Sequence, residues 1–283
     1  CVKVQGPYRF NSCKPESVSS LIFFCCLLPS VLVLVYGAAM ISSDTDTMRH
    51  ITTVILDLDD TLWDVKPALV AADAAQWRYL TARFPKEPLR ELADQQAGTL
   101  RAEILAEQPM LAHHISQFRE AFIYRLLLHS GQSKTTAAEA ASKAFAAFYA
   151  ERHKVALFED AATALSTLSQ EYLLGALTNG NADVRKTPIA SYFSYAWRAE
   201  EFGISKPDTL LFHRVFDQAG VSANEVIHVG DCHNNDVAGA VAAGAKAVWF
   251  SPDGGTSDIA DAIVTRLADL PSAIEALART KPL

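Results

Sequence analysis

Four short stretches carry the side chains that could do chemistry. Asp57-Leu58-Asp59-Asp60-Thr61 sets two carboxylates at i and i+2. Just beyond the end of a strand, that spacing lets them converge on one site as nucleophile and proton donor. An acidic turn would use the same residues. A calcium loop fits less well, because Thr61 and Leu62 stand where it takes an acidic or amide ligand and a glycine. Thr178-Asn179-Gly180-Asn181 offers a hydroxyl, an amide and a flexible backbone, which suit either phosphoryl oxygens or an ordinary loop. Ser205-Lys206-Pro207-Asp208 leads into a helix whose first turn Pro207 fits, so Lys206 is either fixed there or a solvated surface lysine. Gly230-Asp231-Cys232-His233-Asn234-Asn235-Asp236 brackets a loop with two more carboxylates, five positions apart. Hard oxygen donors of this kind suit Mg²⁺. His228 and His233 have no thiolate or imidazole partners at the spacing a zinc site needs.

These stretches need a scaffold, and the sequence supplies one. Apolar, β-branched runs at 51–57, 172–177, 226–229 and 245–250 read as buried strands. Helical patterns at 161–170, 208–219 and 237–243 lie among them. The alternation predicts an α/β fold: a parallel, Rossmann-like sheet with helices on both faces and its site at the carboxyl ends of the strands. Residues 65–155 interrupt it with four expected helices, at 67–84, 88–107, 113–129 and 133–150, and no strand. The last is alanine-rich and a strong helix former. The expected layout is therefore an α/β core from 48–64 and 156–283, with 65–155 inserted as an all-helical cap. Trp63, Trp77, Arg78, Arg119, Tyr124 and Arg125 are candidate cap contacts to a substrate, with helix–helix packing as the competing use of the aromatic residues.

Composition narrows the partners. Half of the 283 residues are apolar and one fifth are charged, which excludes a disordered or fibrous chain. A net charge of −7 without Lys/Arg clusters argues against binding nucleic acid and for a small-molecule partner. Four of the five cysteines fall in the first 26 residues, so the remainder is no disulfide framework and suits a reducing compartment. Residues 21–41 form an uncharged, largely apolar run that is just long enough to span a bilayer. With Lys3, Arg9 and Lys14 before it and small residues at 37–39, it could be a signal peptide or a membrane anchor. The favoured expectation is that 1–47 lies outside the fold and that the protein is cytoplasmic. Export or anchoring through 21–41 is the alternative.

Each motif is weak alone, but their order is specific. The set Asp-x-Asp-x-Thr, Thr-Asn, Lys-Pro and Gly-Asp-x₄-Asp resembles the haloacid dehalogenase-like hydrolase superfamily, over about residues 51–250. The resemblance implies Asp57 as the nucleophile that forms an aspartyl-phosphate. It implies Asp59 as the acid and then the base, Thr178 and Asn179 at the phosphoryl group, and Lys206 steadying the nucleophile. It also implies Mg²⁺ held by Asp57, Asp59 (through its carbonyl), Asp231 and Asp236. Four carboxylates in one pocket would repel a phosphate dianion, whereas Mg²⁺ and Lys206 balance them if Asp59 is protonated. Dehalogenases of the superfamily lack the second acid, which favours phosphate-ester hydrolysis. Leu56–Asp64, Thr178–Ala182, Gly203–Pro207 and Ile227–Asp231 are similar to a bacterial group acting on flavin mononucleotide and 5-amino-6-(5-phospho-D-ribitylamino)uracil. This chain departs from that group at Cys232, where an aspartate is common. A pyrimidine nucleotidase, another sugar or nucleotide phosphatase, and a non-catalytic phospho-ligand binding protein are the alternatives.

Overall fold

The computed structural model describes residues 51–279. The expectations for residues 1–47, including the run 21–41, lie outside them. Among the described residues no helix is long and apolar enough to cross a membrane.

Six parallel strands form one sheet: β1 (Thr53–Leu56), β2 (Leu173–Thr178), β3 (Tyr195–Arg198), β4 (Val226–Gly230), β5 (Lys246–Phe250) and β6 (Ala262–Val264), in the spatial order β3-β2-β1-β4-β5-β6. The four expected strands are the inner ones. β3 and β6 are additional edge strands, short and partly exposed, so they lack the continuous apolar run that marks a central strand. β1 is buried throughout and pairs with β2 on one side and β4 on the other, with Leu56 level with Ala176 and Val229. The chain order reverses at β1, which is where open α/β sheets hold their ligands.

Both faces are covered, as expected. α5 (Ala161–Leu168) and α8 (Leu270–Arg279) bury Leu165, Leu168, Leu270 and Ile274 against Val54, Leu56, Ile227 and Val229. On the other face, α6 (Thr209–Ala219) packs Leu211, Phe212 and Val215 against Ile55 and Leu177. α6 starts where the Asp208 side chain accepts from Leu210 N and stops at Gly220 in a left-handed conformation.

Between β1 and α5 run four helices: α1 (Val65–Arg83), α2 (Leu89–Glu107), α3 (Ile115–His129) and α4 (Lys134–Arg152). Asp64 caps α1 and Ser133 caps α4. The four share a core of their own, containing Leu80, Leu100, Phe122, Leu126 and the alanines 137, 140, 141 and 144. Those alanines let α4 lie close to its neighbours. Trp77 is buried in this core with Tyr124 against it, and Arg119 is buried over the Phe148 ring. Arg125 pairs with Glu103 and Glu107, and Arg78 is exposed. Trp77, Arg119 and Tyr124 therefore serve packing.

Candidate active site

Asp57 follows β1 directly, and its N–H donates to Val229 O at 2.8 Å, so the β1–β4 ladder runs one residue past the strand. Asp231 leaves the carboxyl end of β4. Thr61, fully buried, ties the two loops together: its hydroxyl donates to Asp231 Oδ1 at 3.0 Å and accepts from Asp231 N at 3.1 Å. Trp249 on β5 donates its indole N–H to Asp231 O at 2.8 Å. Asp236 sits in the π-helical turn 233–238 that follows. A Cβ on Gly230 would land inside the Asp236 carboxyl group, so only glycine lets that side chain fold back over the strand end.

The sequence motifs thus converge. One oxygen each from Asp57, Asp231 and Asp236 lie within 4.8 Å of one another. Lys206 is 4 % exposed and reaches into this group, 2.9 Å from Asp57 Oδ1 and 2.6 Å from Asp236 Oδ1. The Asp57 contact is an ion pair that lies off the direction of a hydrogen bond. Lys206 Nζ also donates to Leu177 O at 2.9 Å.

The electrostatics follow from burial and pairing. Burial pushes the Asp57 carboxyl well up; Lys206 opposes this, while Asp236 and Asp231 add to it. Burial and then Asp236 push Asp231 up to about 6. Burial would raise Asp236 too, but the Lys206 ammonium and the His228 N–H override it and hold Asp236 down to about 2. Burial would lower Lys206, yet Asp236 and Asp57 hold it above its ordinary range. His228 is pushed down by burial, so the neutral ring donates Nε2–H to Asp236 Oδ1 across 3.0 Å. Asp236 Oδ2 accepts from Cys232 N at 3.0 Å, and Cys232 Sγ accepts from Asn235 N at the start of the turn.

The donor set fits a divalent cation. Asp57 and Asp231 offer hard oxygens, and burial first, then the neighbouring carboxylates, makes their negative charge costly in the absence of a cation. Asp236 is already committed to Lys206, His228 and Cys232, which suits it to orienting its neighbours.

Two expectations change in detail. The Asn179 side chain, expected at a phosphoryl group, is spent on Lys206: its amide donates to Lys206 O at 2.9 Å and accepts from Lys206 N at 2.8 Å. Thr178 is beside it, buried, with Oγ1 accepting from Gly180 N at 2.9 Å. The Asp59 carboxylate, expected among like charges, stands outside the acidic group. Its Oδ1 accepts from the fully buried Trp63 indole at 2.9 Å and its Oδ2 from Arg152 Nη2 at 2.5 Å. Trp63 is thereby a partner of Asp59, and its burial leaves no face for a substrate. Arg152 brings a positive charge to Asp59 that the sequence-based balance does not include. Arg152, Trp63 and Thr61 are the residues whose place here was not foreseen. Nothing near Arg152 in the sequence marks it, since it closes an alanine-rich helix 93 positions from Asp59.

A family model described as a haloacid dehalogenase-like hydrolase matches residues 51–244. The 5-amino-6-(5-phospho-D-ribitylamino)uracil phosphatase YigB of Escherichia coli is 29 % identical over 208 residues, covering 74 % of this chain and 87 % of that one. The ribulose-1,5-bisphosphate 5-phosphatase of Halopiger xanaduensis is 29 % identical over 71 % of this chain and 85 % of its own. A solved structure described as a 2-haloacid dehalogenase from Pseudomonas syringae superposes with a TM-score of 0.74 at 37 % identity, covering 80 % of this chain and 99 % of that one.

Proposed function

The chain belongs to the haloacid dehalogenase-like hydrolases, and from that membership we propose that it is a Mg²⁺-dependent phosphatase of small phosphate monoesters. The observation that carries this reading is Asp57 at the switch point of the sheet, with Lys206 Nζ at 2.9 Å and Asp231 and Asp236 gathered beside it. An Asp57 oxygen attacks phosphorus as the ester oxygen departs with a proton from Asp59, leaving an aspartyl-phosphate. Water, deprotonated by Asp59, then attacks phosphorus, which frees inorganic phosphate and regenerates Asp57. Lys206 faces the nucleophile and the transferring group. The Thr178 hydroxyl and the main-chain N–H of 179 are the neighbouring donors for phosphoryl oxygens. Asp57, Asp231 and the Asp59 carbonyl, with Asp236 beside them, would hold Mg²⁺, and its charge would neutralise the phosphate. The helices α1–α4 act as the cap that excludes water.

For the substrate we favour 5-amino-6-(5-phospho-D-ribitylamino)uracil or flavin mononucleotide. The likeness to the E. coli phosphatase over 87 % of that enzyme supports this, as do the motif sequences. A cytoplasmic site of action goes with such a substrate. The decisive experiment assays the purified chain with MgCl₂ against a panel holding both compounds, ribulose 1,5-bisphosphate and pyrimidine nucleotides. The reading expects phosphate release that is lost with a chelator and with Asp57→Asn, and a far higher kcat/KM for one of the two favoured esters. Full turnover by Asp57→Asn would refute the mechanism, and a nucleotide as the best substrate would refute the substrate.

The 37 % identity to a structure described as a haloacid dehalogenase supports a second reading. Including 2-chloropropionate in the panel, with chloride release as the readout, separates the two.

A further inference from the structure

Arg152 is the last residue of α4 and 1 % exposed, a costly place for a guanidinium. Its Nη2 donates to Asp59 Oδ2 and its Nε to Asn181 Oδ1 at 3.1 Å, while Nη1 is buried without a hydrogen-bond partner. A group kept only for packing would be better replaced by an apolar side chain. With Trp63 on the other oxygen, Arg152 fixes both ends of the Asp59 carboxyl group. The space around the pair is tight: a Cβ on Gly180 would stand 2.5 Å from Asp59 Oδ2 and 3.4 Å from Arg152 Nη2.

The anchor of the guanidinium is itself tied to the helical insert. Asn181 Nδ2 donates to Ser116 Oγ on α3 at 3.4 Å. Ser116 in turn donates through N and Oγ to the two oxygens of Glu200 on the sheet side, at 2.9 and 3.0 Å. Asp59 is thus oriented by a chain of contacts that crosses between the insert and the α/β core at α3 and at α4.

We propose that Arg152 is the positioning residue for Asp59: seated by Asn181, it aims the Asp59 carboxyl group at the oxygen that leaves phosphorus, so that the placement of the helical insert sets the acid. This rests on the phosphatase reading above. Protonation of the leaving oxygen matters for an alkoxide and little for a stabilised phenolate, so a defect in aiming the acid must depend on the leaving group, whereas a general loss of structure cannot.

The test is kcat/KM, which reports the steps from free enzyme and ester through phosphorylation of Asp57 and not the later hydrolysis, for an alkyl phosphate and for 2,4-dinitrophenyl phosphate. Arg152→Gln should lower the alkyl value by about 100-fold, the lower end of what a positioned proton donor contributes, and the dinitrophenyl value by no more than about 5-fold. Arg152→Lys should recover part of the alkyl loss. Asn181→Ala keeps the guanidinium but removes its seat, and should show the same selective pattern at smaller size. It decides the matter if Arg152→Gln does not fold. Equal losses on both esters, or none, would overturn the proposal. A wild-type chain inactive on both esters, yet releasing chloride from 2-chloropropionate, would sink the phosphatase reading and this one with it.

Discussion

Lys206 is the group whose removal should be felt most in the fold as well as the chemistry. It is buried, and its ammonium is the countercharge to Asp57 and Asp236. Lys206→Met keeps much of the volume and removes the charge. Asp236, held down to about 2 chiefly against its own burial by Lys206, would then be a buried carboxylate with only the His228 and Cys232 N–H groups for support. Breaking a buried pair from one side typically costs about 3–5 kcal/mol. For a domain of this size that is a fall in melting temperature of roughly 6–20 °C. Removing both Lys206 and Asp236 is expected to cost less than removing Lys206 alone, because the orphaned charge at 236 is gone while Asp57 loses its countercharge equally in both proteins. So Lys206→Met/Asp236→Asn should melt above Lys206→Met, with a coupling energy on the order of 2 kcal/mol. The assay is thermal or urea unfolding of the four proteins in chelator at pH 7.5. A Lys206→Met protein melting within a degree or two of wild type, or a double variant no better than the single, would refute the charge argument.

Other consequences follow from the same geometry. Asn179→Ala removes both side-chain bonds to the Lys206 backbone and should lower kcat by about 10-fold or more while the chain stays folded, as judged by circular dichroism beside the activity assay. Gly230→Ala drives a methyl group into Asp236 and should destabilise the fold by about 1–3 kcal/mol in urea titrations. For Asp231 the folded value, about 6, lies above the ordinary 3.8, so the folded state binds more protons between those values. The metal-free protein should therefore lose stability as pH rises from 4 to 6, and Mg²⁺ should restore it above pH 6, both read as melting temperatures. Asp236 contributes in the opposite sense: its stabilisation is present above pH 4 and lost as pH falls towards 2.

How much of this could be read beforehand depended on the range of the signal. Strands β1, β2, β4 and β5 are buried along most of their length, so each lies in a largely apolar run. β3, with Tyr195 and Arg198 at its ends, is a partly exposed edge strand and has no such mark. The helices expected from 133 and 208 begin within one residue of those positions, where Ser133 and Asp208 cap α4 and α6. The acidic residues and Lys206 could be named because each follows a strand or opens a helix at a fixed offset. The hydrogen bonds that use them could not. The Asn179 amide meets Lys206 across 27 positions, and Arg152 meets Asp59 across 93. Such partners are chosen by how the layers pack, and no periodicity encodes that. The charge balance read from the sequence omits Arg152 for the same reason, since it counts only the residues the motifs contain.

The place of Asp59 bears on which bond the enzyme breaks. A halide leaves carbon as a stable anion and needs no proton. An alkoxide leaving phosphorus is a strong base and needs one in the transition state. In this chain a buried indole N–H, a buried guanidinium and a glycine with no room for a methyl group all constrain a second carboxyl group. Halide displacement would have no use for that arrangement, so its presence supports ester hydrolysis despite the 37 % identity to a structure described as a dehalogenase. Asp59→Asn distinguishes the cases. It keeps the shape and the Trp63 bond but cannot carry a proton, so hydrolysis of an alkyl phosphate should fall by about 10²–10⁴-fold. Chloride release from 2-chloropropionate, if the wild type shows any, should persist. An Asp59→Asn protein that still hydrolyses alkyl phosphates at the wild-type rate would mean that the carboxyl group is held for some purpose other than proton transfer.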